Sequence, residues 1–93
     1  MIVEGITVLL DGNPATLIDL SVCGAQVNTT ATLKPNQRVR LSLPTSSRVR
    51  ISATVRWANF EIPAGGPCYR AGLEFIDPDQ DAIAEFIETH KQR

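Results

Sequence analysis

Histidine and cysteine are nearly absent from this chain: one His90, and two cysteines, Cys23 and Cys68. Without a second histidine, nucleophilic triads and metal-assisted hydrolysis lack their usual base and ligands. No CxxC pair or histidine stands at metal-ligand spacing, so a structural zinc is not expected, and the two thiols read as small half-buried residues, with a bridge between them left open. No apolar run approaches the roughly 20 residues of a membrane span, and the Met-Ile-Val-Glu-Gly start lacks the basic residues and apolar stretch of a secretory signal. A cytoplasmic protein is therefore expected. Charge of either sign is in little excess: Lys+Arg 9 against Asp+Glu 10 leaves -1. The molecule as a whole is not steered to nucleic acid or anionic lipid, and any anion site must come from local clustering.

What is present fits one small domain spanning 1–93, with 43% apolar residues to build a single core. Strands are expected within 2–76. Ile2 to Leu10 runs into a turn at Asp11-Gly12-Asn13-Pro14, and Ala15 to Leu20 resumes. After the polar interruption Asp19-Leu20-Ser21-Val22-Cys23-Gly24, Ala25 to Asn28 pairs again, and Pro35-Asn36 marks the next turn. From Arg38 to Ala58, Val39, Leu41, Leu43, Val49, Ile51, Ala53, Val55 and Trp57 alternate with polar residues, the pattern of two antiparallel strands with one wet face. Leu41 opposite Ile51 is the preferred register, since the competing one sets Arg40 against Arg50. By the same parity Trp57 points inward.

Tyr69 to Phe75 is a further alternating strand after the Pro63 to Pro67 loop. A helix of about 78–91 follows, with Asp77 as its cap, Pro78 in its first position and Gln80 as capping-box partner; Ile83, Phe86, Ile87 and His90 recur at helical spacing. The fold class is thus mainly β: a small six-stranded antiparallel barrel with one C-terminal α-helix, which is expected to close the barrel rather than pair with a copy of itself.

Two constellations carry functional chemistry. Arg38, Arg40, Arg48, Arg50 and Arg56 project from the wet face of one hairpin, while only two lysines occur in the chain. Planar guanidinium forks suit phosphate or carboxylate, and the same charges also protect a sheet edge from aggregation. The second constellation is the turn containing Asp19, Ser21 and Gly24. A carboxylate that accepts two parallel hydrogen bonds matches the N1–H and N2–H edge of guanine, a hydroxyl serves a neighbouring polar atom, and glycine lets backbone approach a flat ring. Equally, Asp and Ser in a turn commonly satisfy their own backbone. Asp77, Asp79 and Asp81 sit where a helix dipole favours negative charge, and His90 at the helix end, so neither implies catalysis.

Asp19, Ser21 and Gly24 in Asp-x-Ser-x-x-Gly order resemble the motif of the PilZ domain, a bacterial receptor for cyclic di-GMP. The likeness extends to the strands Val39 to Leu43, Val55-Arg56-Trp57 and Tyr69 to Phe75, and to the closing helix. It implies a non-enzymatic six-stranded barrel that carries the nucleotide on its outer surface, without cofactor or metal, with Asp19, Ser21 and Gly24 as ligand-binding residues. Arg70, Arg40, Arg50 and Arg56 are the candidates for anion contacts. The chain departs from the pattern in one respect: the family's Arg-x-x-x-Arg segment would fall before Met1, and nothing between Met1 and Ser21 is basic. Either the sequence begins inside the domain or the member is degenerate, in which case the loss of two charge-assisted contacts weakens binding by about two to four orders of magnitude. The alternative is a protein-interaction module that binds no nucleotide and uses the hairpin or a sheet edge to meet a partner in motility, pilus or polysaccharide machinery. A small nucleic-acid-binding barrel is a third class, disfavoured by the lack of aromatic platforms among the arginines.

Overall fold

A computed structural model describes residues 6–44, 49–62, 64 and 66–89. Six strands, β1 (Thr7–Leu10), β2 (Asn13–Leu20), β3 (Gly24–Thr29), β4 (Arg38–Ser42), β5 (Arg50–Glu61) and β6 (Cys68–Phe75), are followed by one helix, α1 (Gln80–Thr89). The strands close in the order β1-β2-β3-β6-β5-β4, every neighbouring pair antiparallel. The expected barrel with a C-terminal helix is therefore the observed fold.

The alternation that predicts the β4–β5 hairpin also sets its register. Leu41 faces Ile51, Arg40 faces Ser52 and Ser42 faces Arg50, as the charge argument requires. Val39, Leu41, Ile51, Ala53 and Val55 are buried, and Arg38, Arg40, Arg50 and Arg56 are exposed. Arg48 lies outside the described residues, as do Ile2 to Gly5 and His90.

One turn is tighter than expected, and another falls where Pro35-Asn36 marks it. The β1–β2 reversal uses only Asp11 (φ 52) and Gly12 (φ 83), with Leu10 facing Asn13. Two consecutive left-handed residues make a primed turn whose twist matches the strands, so Asn13 and Pro14 already belong to β2. Lys34 to Gln37 form a turn closed by the Gln37 N–H donating to the Lys34 carbonyl at 3.2 Å, and Asn36 (φ 70) occupies the position that needs a left-handed residue.

The helix cap is a correction. Asp79, not Asp77, accepts the Ala82 N–H, at 3.1 Å, and the helix starts at Gln80. Asp77 stands at φ 45, left-handed backbone that an N-cap residue does not adopt. The apolar stripe lies where the spacing puts it: Ile83, Phe86 and Ile87 are buried in the same cluster as Leu17, Leu20, Leu41 and Phe75. Each such side chain removed from water contributes roughly 1.5–3 kcal/mol. Leu33, in the β3–β4 connection, is also buried in this cluster.

The β5–β6 hairpin runs past the last β3 partner, Thr29 opposite Tyr69, to Glu61 opposite Cys68. There Phe60 and Tyr69 meet edge to face with centroids 5.3 Å apart.

Candidate functional site

The turn from Ser21 to Cys23 joins two strands, and a single hydroxyl organises it. Ser21 Oγ accepts the Gly24 N–H at 3.2 Å and the Cys23 N–H at 3.3 Å, while the Ser21 N–H donates to the Gly24 carbonyl at 2.9 Å. This is the self-satisfied arrangement that short polar residues make in turns. The Cys23 carbonyl accepts the Phe75 N–H at 2.9 Å, which ties the turn to the end of β6. Gly24 is required by proximity rather than by backbone conformation. A Cβ there would lie 2.5 Å from the Leu73 carbonyl oxygen, so only glycine lets β3 and β6 approach this closely.

Asp19 lies just after a register shift in β2, with Leu17 facing Val27 and Asp19 facing Gln26. The irregularity puts Asp19 and Gln26 side by side on the outer face, next to Gly72 of β6, which faces Gln26. A second shift in β5 completes the row. Val55 faces Leu73 but Trp57 faces Gly72, so Arg56 is the extra residue of a bulge. The inward position expected for Trp57 is therefore overturned: one inserted residue flips parity, and the indole lies on the outer surface, 37% exposed. Its ring covers Gly72, where a Cβ would fall 2.2 Å from Trp57 Nε1.

These devices make an outer groove of about 380 Å3 lined by Asp19, Ser21, Gly24, Gln26, Arg56, Trp57 and Glu74 among others. That is within the roughly 300–1,000 Å3 usual for small-ligand sites. A carboxylate and an amide stand at one side of it and an aromatic ring at the other. Its charges are Asp19, Glu74 and Arg56, and Arg56 is held by Glu74 at 3.7 Å in an exposed pair. Chemically, the groove offers acceptors for a polar ring edge and a flat surface for stacking, with one guanidinium for an anion.

Of the four arginines considered for anion contacts, the fold brings Arg56 to this groove. Arg70 flanks it in the adjacent row, facing Asn28 on one side and Asn59 on the other. Arg40 and Arg50 line a different surface, on β4 and β5. Trp57, Gln26, Gly72 and Glu74 are not among the site residues expected from the sequence. Gly72 carried a signal: a glycine at an outward position in a regular strand marks a place where another group comes close. Among the described residues no cluster of His, Cys, Asp and Glu could hold a metal ion, and no helix is long and apolar enough to cross a membrane.

Comparison with curated proteins yields no match, and neither does comparison with solved structures. The family model for the PilZ domain matches residues 5–89. That span takes in all six strands and the helix, and the chain belongs to the PilZ domain family.

Proposed function

We propose that this domain is a cyclic di-GMP receptor whose outer groove takes one guanine base. Asp19 accepts the N1–H and N2–H of the base edge, Trp57 provides the stacking surface, and Gly24 keeps the turn close to the sheet. Ser21 acts mainly by shaping the turn. PilZ domains are binding modules, and the role assigned here is recognition without catalysis, in the cytoplasm, in second-messenger control of motility or biofilm formation. The observation that carries this reading is the position of Trp57: two bulges on separate strands bring the indole and the Asp19 turn to the same groove.

The groove is better furnished for the base than for its phosphates. It has two carboxylates and one guanidinium, and that guanidinium is already shared with Glu74. Basic groups from the segment before β1 would complete the site. The Ile6 carbonyl accepts the Leu17 N–H at 2.9 Å, so the chain enters β1 beside the β2 residues that lead to Asp19.

Calorimetry with cyclic di-GMP on this chain, and on a version extended upstream in its gene, tests the reading. Binding by the extended form, weakened at least about tenfold by Asp19→Ala, is the expected result. No heat from either form would leave a family member that has kept the barrel as a protein-interaction module, and unchanged affinity in the Asp19→Ala protein would remove the assignment of the base to this groove.

A further inference from the structure

A second surface, on β1, β4 and β5, is built differently. Between Lys34 and Arg56 the chain has six basic residues and no acidic one, whereas from Glu74 to Glu88 it has six acidic residues and no basic one. The small net charge conceals this segregation. On the barrel, Arg38, Arg40 and Arg50 alternate with Thr54, Ser52 and Ser42 across the β4–β5 ladder, so hydrogen-bond donors cover this part of the outer face. Among the described residues no carboxylate is in ion-pair contact with any of the three guanidiniums. Asp11, which lines the same surface, is engaged with backbone, its Oδ1 accepting the Arg40 N–H at 2.8 Å.

These residues line a groove of about 670 Å3 whose walls include Leu9, 44% exposed. Leu9, Ser42 and Arg50 also border an adjoining hollow lined by Val8, Leu43 and Pro44. The surface therefore combines spaced positive charge with apolar contact. The spacing is regular: Arg38 and Arg40 are two residues apart on one strand, about 7 Å, and Arg40 and Arg50 are diagonal neighbours at about 7–8 Å. Carboxylates two residues apart on an extended peptide repeat at the same interval.

We infer that this groove docks an acidic, extended segment of a partner protein whose carboxylates fall at every second position and so face the guanidiniums together. The three guanidiniums are distributed along a track instead of converging on one point, which suits a polypeptide better than a single phosphate. Single-stranded nucleic acid would use aromatic stacking platforms, and none lines this groove. The inference does not depend on nucleotide recognition, because the Asp19 groove shares no lining residue with this one.

The test uses the full chain and a fluorescein-labelled peptide alternating glutamate and leucine, followed by anisotropy over a salt series. Salt-sensitive binding is expected. It should weaken about tenfold when Arg40→Gln and Arg50→Gln are combined, since exposed ion pairs contribute modestly each. It should persist in Asp19→Ala, which separates this groove from the nucleotide site. Arg40→Glu with Arg50→Glu should abolish it, with circular dichroism verifying that both variants fold. Equal affinity for a glutamine-leucine peptide, no binding at low salt, or unchanged binding in the folded double variants would overturn the proposal. So would stronger retention of oligothymidylate than of the peptide. Salt-sensitive self-association lost in the double variants, without peptide binding, would reassign the groove to a contact between copies through the Glu74 to Glu88 segment.

Discussion

The Asp19 groove and the arginine groove of this barrel are made by opposite means. The Asp19 groove is a product of backbone irregularity: a shift in β2, a bulge at Arg56, and two glycines, Gly24 and Gly72, that admit a carbonyl and an indole where side chains would otherwise stand. The arginine groove lies on regular ladder, and its character comes from which side chains alternate there. Substitutions in the first should therefore disturb structure and binding together, while substitutions in the second should alter binding alone.

The sharpest way to break this contrast is Gly24→Ala. A methyl group placed against the Leu73 carbonyl must push β3 and β6 apart, and overpacking of this kind costs about 2 kcal/mol. A lowered urea midpoint at unchanged slope is the expected result, and an unchanged midpoint would mean that the close approach is not a constraint. Next comes Trp57→Ala. If the indole is the stacking platform, its loss should reduce nucleotide affinity in the upstream-extended protein about tenfold, a typical size for one base on one aromatic ring. Equal affinity would leave Trp57 as a cover for Gly72 and nothing more. The smallest effect is expected on the other face. Arg40→Gln and Arg50→Gln together should move stability by no more than about 0.5 kcal/mol, since both residues are exposed and in regular strand. A larger loss would show that these guanidiniums support the barrel.

The same contrast explains which parts were legible in the sequence. Strict alternation from Arg38 to Val55 fixed both the β4–β5 register and the wet position of its arginines, because a one-residue slip would turn the whole apolar set to solvent. The Asp-x-Ser-x-x-Gly spacing located the turn through its likeness to a family. Trp57 was misplaced because a bulge leaves the apolar pattern intact while reversing parity after it. The helix cap slipped by two residues for a related reason. Asp77 and Asp79 are equivalent by residue type, and only the left-handed backbone at Asp77 separates them. Alternation reports side chains, whereas bulges and positive φ values are settled by tertiary pairing.

The barrel's circumference is not uniformly stitched. Among the described residues β5 and β6 share eight register pairs, but β1 and β4 share two, Leu9 with Ser42 and Leu10 with Leu41, reinforced where Asp11 meets the Arg40 backbone. If the cylinder unrolls in a thermal fluctuation, the shortest stitch is where it should part first, and amide exchange at Leu9 and Ser42, which face each other across it, should report that opening ahead of the β5–β6 ladder. Arg38 and Arg40 stand beside that seam, so each transient opening would present a positively charged lip that repels a like-charged copy before strands can join.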